Sequence, residues 1–306
     1  MSQSANTNQI SFDWVEIPAG EFLMGSNPIE QITSYPDEAP LHQVDLPEFF
    51  MSAKPITNSQ YEKFVKSTGH KKPGHWIGGV VPENRKDHPV TYIDWADANQ
   101  FAKWCGARLP TEAEWEKSAR GTDGRKFPWG EDEPTEQKAN FGNLIGDTTE
   151  VGIYKEGASI FGVLDLAGNV WEWTSSLHFD YPFDLTDGRE SATKWGARVV
   201  RGGNYLHSGK NIRCADRHSI FPTARDIYIG FRVVVDDLAK VNNKCEVDFE
   251  WKKIPAGKFL MGSEFTPVPG DAPDPEYFGV SKHGANRPAD FDNEIPQHKI
   301  LLEKYR

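Results

Sequence analysis

The sequence predicts an α+β domain with little regular secondary structure, and three observations point to it. Two segments carry apolar residues at helical spacing behind N-capping residues, while the rest breaks into short runs separated by glycine turns. Ten tryptophans supply large rings for packing where regular elements are short. Twenty-seven glycines and twenty-one prolines among 306 residues fit a chain of many turns.

Taken in order, FDWVEIPAG and EFLMGS (residues 12–26) predict a β-hairpin turning at Pro18-Ala19-Gly20. Thr57 or Asn58 then caps a helix that carries Tyr61, Phe64 and Val65 on one side. A second helix starts at Asp94 and places Trp95, Ala98, Phe101, Ala102 and Cys105 on one face. Thr111 and Glu114 follow with the spacing of a capping box, in which hydroxyl and carboxylate each satisfy an otherwise unpaired backbone N–H. From there to Val235 short strands alternate with glycine turns, so two main helices are expected in all.

The chain contains one beginning twice. FDWVEIPAGEFLMGS (12–26) and FEWKKIPAGKFLMGS (249–263) agree at eleven of fifteen positions, at an offset of 237. The match resumes with DEAPLHQVDL (37–46) against NEIPQHKILL (293–302), at an offset of 256, so the second copy carries a 19-residue insertion rich in Pro, Asp and Gly. A repeat of this length is a duplicated domain rather than a solenoid unit. The expected organisation is one domain over 10–236, a linker over 237–248, and the opening part of a second copy over 249–306. A tail of that length without its partner elements lacks a core of its own, which implies a longer, multidomain parent chain; the alternative is a tail that wraps the first domain.

Acidic residues exceed basic ones by 45 to 34, for a formal charge of −11, and no basic run interrupts that field, so a nucleic-acid partner is not expected. No apolar stretch is long enough to span a membrane, and the polar start MSQSANTNQ lacks an apolar leader core, so a cytoplasmic protein is expected. Of three cysteines none forms a CxxC pair; Cys105 and Cys214 read as buried small hydrophobes rather than members of a disulfide scaffold. Nine histidines show no HxxH or HExxH spacing, and no phosphate-cradling loop or GxSxG elbow is present. His42 and His298, which recur within E-x-P-x-H, read as hydrogen-bonded structural histidines.

Four stretches together resemble the formylglycine-generating enzyme (sulfatase-modifying factor) family. They are IPAGEFLMGS, HPVTYIDWADANQFAKWCGARLPTEAEWEKSARG followed by FPWG, LDLAGNVWEWTSS, and RGGNYLHSGKNIRCADRH ending in IGFRVV. Their order and spacing cover nearly all of residues 12–235, and the tail resembles the start of the same domain. The resemblance implies a C-type-lectin-like α+β fold. It also implies an active site in which two cysteines bind copper and oxidise a cysteine of a target peptide to formylglycine. Those cysteines would follow the turn that here reads Arg201-Gly202-Gly203-Asn204-Tyr205-Leu206, and the residues after it, His207-Ser208-Gly209-Lys210-Asn211-Ile212, contain none. Cys214 matches neither position. Cu(I) selects soft thiolates in pairs, so copper is not expected.

Asp165 and Glu172 flank a Gly168-Asn169 turn in LDLAGNVWEW. Two carboxylates and two turn carbonyls would offer a calcium ion four hard oxygens, although the same residues suit a tight turn into a strand, with Trp171 and Trp173 facing the core and Glu172 opposite. The resemblance implies Ca2+ here, held by the side chains of Asp165 and Glu172 and the carbonyls of Gly168 and Val170. A second family calcium site would begin at Asn140-Phe141, but the loop after it is short and Asp147 is its one further carboxylate.

The expected function is therefore that of a non-catalytic domain binding a protein or peptide partner through polar loops on a rigid core. Asn204, Tyr205, His207, Asn211, Arg213 and Arg217 are its expected ligand-binding residues, with Gly202 and Gly203 making a turn that Arg201 and Arg213 brace, and with 207–211 exposed on a groove rim. The alternative is a formylglycine-generating oxidase or related metal-dependent oxidoreductase acting on a protein cysteine.

Overall fold

The computed structural model describes residue 10, residues 12–27 and 35–240, and two short strands at 258–261 and 298–301. The chain divides into two units, Met1–Val247 and Asp248–Arg306. Apart from residues 237–240, the expected linker lies outside the described residues, as does most of the expected second copy.

In chain order the first unit contains β1 (Trp14–Ile17), β2 (Gly20–Met24), β3 (His42–Leu46), β4 (Phe49–Ser52), α1 (Asn58–Thr68), α2 (Trp95–Trp104) and α3 (Glu112–Arg120). Then come β5 (Trp171–Leu177), β6 (Arg198–Arg201), β7 (Arg217–Ile220), β8 (Ile229–Phe231) and β9 (Val234–Val235). Long irregular connections join them, as the glycine and proline content requires.

All three helices start at capping boxes: Thr57 with Gln60, Asp94 with Asp97, and Thr111 with Glu114. Each hydroxyl or carboxylate accepts a first-turn N–H that the helix itself cannot satisfy. The box at Thr111 opens a third α-helix, one more than the two expected. The predicted face of α2 is buried throughout, as are Tyr61, Phe64 and Val65 of α1. Tyr61 stacks on Phe101 with ring centroids 5.6 Å apart, which ties the two helices together.

The predicted hairpin at Pro18-Ala19-Gly20 does not form. β1 pairs antiparallel with β4 and, through it, with β9, whereas β2 pairs antiparallel with β3. Pro18 lacks an N–H for a cross-strand bond, and the chain turns into a different sheet after Ile17. The buried Lys117 amine of α3 holds this corner, donating to the carbonyls of Pro18 and Gly20, both at 2.7 Å.

The central sheet runs β7-β6-β5-β8, with β5 and β8 parallel and the other pairs antiparallel. Trp171 and Trp173 of β5 pack with Tyr61, Phe101 and Phe231, while Trp115 of α3 lies in a second core cluster. Both faces of this sheet are covered. Glu172, expected opposite the core, is accordingly fully buried as well.

In the second unit, β10 (Lys258–Met261) pairs antiparallel with β11 (His298–Leu301), placing Met261 opposite His298. The same pairing sets Met24 opposite His42 between β2 and β3. The two copies of the repeated sequence thus form the same strand pair in the same register.

Candidate functional site

The segment from Arg201 to His218 is held from beneath by buried charge. Arg201 and Arg217 lie opposite each other on β6 and β7 and reach toward α3, whose Glu112 and Glu116 stand one turn apart on the facing side. Arg217 donates to both oxygens of Glu112 at 2.7 and 2.8 Å, and Arg201 reaches Glu112 at 3.4 Å and also bonds Glu116. Arg201 further donates to the carbonyls of Cys214 and Ala215 at 2.8 and 3.2 Å. Arg213 makes a two-point contact with Glu38 at 2.8 and 2.6 Å and caps the Lys210 carbonyl at 2.7 Å. Burial opposes ionisation of Glu112, but Arg217 and Arg201 outweigh it and hold its carboxyl below the usual range.

Gly202 and Gly203 turn the chain at φ +97° and +71°. A side chain on Gly203 would collide with the carbonyl of Asn211. Arg201 and Arg213, expected to brace this turn, bond the carbonyls of Cys214, Ala215 and Lys210 and the carboxylates of Glu38, Glu112 and Glu116 around it.

A cavity of about 500 Å3 opens beside this turn. Of the six predicted ligand-binding residues, Asn204, His207, Asn211 and Arg217 line it. His207 and Asn211 are half-buried at its wall, and Leu206, Ser208 and Lys210 between and beside them are exposed. Two of the six face elsewhere. Tyr205 is buried at 4 % exposure, because its backbone is pinned by the Asn169 carbonyl at 3.1 Å and by the Asn143 N–H at 2.7 Å. Arg213 is spent on Glu38. Arg217 reaches the cavity, but its guanidinium is committed to Glu112 and to the carbonyls of Asp37 and Phe179.

The residues that sequence reasoning did not assign to the cavity come from distant segments: Tyr35, Asp37, Trp171, Asp216, His218 and Tyr228. Trp171 stands between two imidazoles, edge-on to His207 at 5.4 Å and stacked with His218 at 5.8 Å. Desolvation by the surrounding groups lowers the pKa of the half-buried His207 and of the more exposed His218. Asn211 donates to the Tyr35 hydroxyl at 3.0 Å, and the Lys210 ammonium lies 4.0 Å over the Tyr35 ring. Burial works against ionisation of Asp37, but His178 and Arg217 prevail and keep its carboxyl low. Asp216 is the opposite case. Burial, with Glu38 adding to it, pushes its carboxyl up to about 8, since Arg213 bonds Glu38 closely and Asp216 only at 3.6 Å.

Neither described cysteine reaches this cavity. Cys214 is fully buried, with its thiol pushed up to about 12 by that burial, and Cys105 is buried with its sulfur donating to the Ala102 carbonyl at 3.2 Å. Cys245 lies outside the described residues. A copper site built on paired thiolates does not fit the groups found here. Among the described residues no three His, Cys, Asp or Glu side chains converge on a point that could hold a metal ion.

The other expected metal site is the turn before β5. Asp165, at φ +57°, accepts the Gly152 N–H at 2.5 Å through one oxygen, and its other oxygen is buried with no hydrogen-bond partner. Burial raises its carboxyl to about 6, with the Gly152 N–H and Arg232 opposing. Glu172, the other expected side-chain ligand, is already neutralised. Arg232 grips both of its oxygens and Trp115 donates to one of them at 2.7 Å. The turn itself is locked, since a side chain at Gly168 would collide with the Asn140 carbonyl. Asn140 and Asp147, the outline of the second calcium site, are engaged otherwise: Asn140 donates to the Asp147 carbonyl at 2.8 Å, and the Asp147 carboxylate pairs with Arg85. His42 is the structural histidine expected, with Nδ1 donating to the Pro40 carbonyl at 2.7 Å and Nε2 accepting from the Phe183 N–H at 2.8 Å.

The fold is an α+β scaffold with a mixed four-stranded sheet, and the cavity lies against strand and loop residues beside β7. The chain belongs to the sulfatase-modifying factor family: the model described as a sulfatase-modifying factor enzyme 1-like domain matches residues 2–237. It is 31 % identical over 286 residues to the formylglycine-generating enzyme of Mus musculus, covering 73 % of this chain and 75 % of that one. It is 32 % identical over 260 residues to hercynine oxygenase of Mycolicibacterium smegmatis, covering 72 % of this chain but only 61 % of that enzyme. Among solved structures, PvdO from Pseudomonas aeruginosa superposes with a TM-score of 0.61 at 28 % identity, covering 73 % of this chain and 94 % of that one. Among the described residues no helix is long and apolar enough to cross a membrane.

Proposed function

We propose that this chain is a non-catalytic member of the family that binds a protein or peptide partner in the cavity beside the Arg201–His218 segment. The observation that carries this reading is the lining of that cavity: the described thiols are buried away from it, and polar and aromatic groups (His207, Asn211, Tyr35) stand at its wall, with Asn204 buried beneath them. A volume of about 500 Å3 falls within the range of roughly 300–1,000 Å3 of ligand sites. Its rigid floor of paired Arg and Glu side chains supports side-chain contacts without the cost of ordering the loop on binding.

A random linear peptide library displayed on phage, panned against the full chain, tests the proposal. Selected peptides are expected to lose about tenfold or more in affinity to His207→Ala and Asn211→Ala, the usual scale for removing an interface anchor, with the melting temperature unchanged. A library yielding no binder would overturn it.

The oxidoreductase reading is favoured by one specific observation, the pair of imidazoles His207 and His218 beside one cavity, together with the names of the relatives. Copper or iron present in stoichiometric amount in the purified chain, lost on His207→Ala, would replace the binding reading with that one. Calcium at the turn before β5 is a separate proposal, supported by the unpartnered buried oxygen of Asp165 and opposed by the Arg232 guanidinium on Glu172. A cytoplasmic location and a longer multidomain parent chain belong to the same proposal; the chain's span of 61 % of hercynine oxygenase supports the second.

A further inference from the structure

The cavity borders β7: Asp216, Arg217, His218 and Ile220 line it, together with Trp171 of β5 and Tyr228. Among the described residues β7 has β6 on one side and no strand on the other. Which of its backbone groups face outward follows from the ladder. The Trp171 N–H bonds the Tyr228 carbonyl, so Trp171 and Trp173 turn their backbone groups toward β8, and Glu172 turns its own toward β6. Glu172 lies opposite Arg201, which makes Arg201 and, two residues earlier, Val199 face β5. The Thr174 hydroxyl on the Val199 carbonyl at 2.8 Å agrees. Val200 therefore faces β7, where it meets His218, and Arg217 and Ser219 direct their N–H and C=O groups away from the sheet.

Arg217 is buried, but Ser219 is half-exposed, and among the described residues neither its N–H nor its C=O takes part in a hydrogen bond. One residue further on, Phe221 stacks with Trp195 at 6.5 Å between centroids, and the pair is 46 % and 61 % exposed.

We infer that β7 is a docking edge on which an extended peptide adds as a fifth strand, its backbone bonding Ser219 and one apolar side chain resting on the Trp195–Phe221 pair. This rests on the peptide-binding reading above and specifies how the peptide is held. A donor and an acceptor on one residue of a strand edge match the donor and acceptor of another extended backbone. Exposed stacked rings supply the apolar anchor that backbone bonding alone lacks. The cavity is too small for a folded partner and is lined by His218 and Ile220 of the same strand, so peptide side chains that alternate toward that face would enter beside them.

The test uses the full chain and the tightest peptide from the displayed library. A scan in which each peptide amide in turn is N-methylated is expected to show losses of about tenfold or more at one amide, or at alternate ones, and little at those between. Bound peptide is expected to slow hydrogen exchange at the Ser219 amide. Ser219→Pro removes an outward donor without touching the ladder to β6, and should weaken the peptide about tenfold or more at unchanged stability. If that variant fails to fold, the methylation scan on the unaltered chain still decides. A flat scan, with binding still lost on His207→Ala, would overturn strand addition and leave the cavity reading standing. A library without binders would overturn both. Concentration-dependent dimers that Ser219→Pro dissociates, and that peptide does not displace, would assign the edge to a second copy of this chain and overturn the inference.

Discussion

Glu172 and Arg232 meet as a two-point ion pair, Oε2 to Nε at 2.6 Å and Oε1 to Nη2 at 2.8 Å, with both side chains fully buried. Arg232 also donates to the carbonyls of Ser52 and Leu164 at 3.2 and 2.8 Å. The pair thus joins the central sheet to β4 and to the loop that ends in Asp165. Removing one partner strands the other charge in the interior, which costs about 3–5 kcal/mol. Arg232→Ala is expected to lose that much in urea unfolding. The double variant Arg232→Met, Glu172→Leu is expected to recover part of it, and a double variant as unstable as the sum of the singles would contradict the pairing.

Calcium is tested at the same place. If Asp165 and the turn carbonyls hold it, chelation lowers the melting temperature, because a ligand of the native state alone adds stability. Asp165→Ala should then remove any further response to chelator. A melting curve that chelator does not move leaves the tight turn and the Arg232 pair as the whole explanation.

Asp216 sets a pH dependence. Its carboxyl is near 8 when folded and about 3.9 when unfolded, so between those values the native state holds the extra proton. Its contribution is complete below the lower value and is lost as pH rises through the upper one. The drop in melting temperature from about pH 5 to about pH 8 should be smaller in Asp216→Asn than in the parent chain. Equal drops would mean that Asp216 does not titrate in this window.

The two described thiols should be inert in the native state. Thiolate is the reactive species, and burial raises the Cys214 thiol to about 12. Alkylation followed by peptide mass analysis is expected to leave Cys105 and Cys214 unmodified until denaturant is added. Rapid native labelling of Cys214 would show that this burial is wrong. Cys214→Ser should leave peptide binding unchanged while costing about 1–3 kcal/mol for the buried hydroxyl.

Tyr205 and Asn211 should separate folding from binding. Tyr205→Ala empties a buried site and is expected to lower stability by about 3–5 kcal/mol. Asn211→Ala touches the Tyr35 hydroxyl at the cavity wall and should act on binding. A stable Tyr205→Ala variant that had lost only its peptide would place that ring in the site after all.

What the sequence alone determined is local or repetitive. The capping boxes at Thr57, Asp94 and Thr111 are legible because each is closed by groups three residues apart. The buried face of α2 follows from helical periodicity, and the Gly202-Gly203 turn from the conformations that glycine permits. The repeated opening, and with it the equal register of Met24–His42 and Met261–His298, is visible as repeated letters. The tertiary structure decided what depends on partners far along the chain. IPAG reads as a hairpin until β4, some thirty residues on, competes for β1. Glu172 reads as a ligand or an exposed carboxylate until Arg232, 60 residues away, neutralises it. Tyr205 and Arg213 read as members of the site until Asn169 and Glu38 turn them inward, while Tyr35, Asp37 and Trp171 enter it from segments with no local sign of doing so. A cap or a turn is decided by bonds within a few residues; a cavity wall is decided by which of several possible partners wins a polar group during burial, and that competition takes place between segments the sequence does not show to be neighbours.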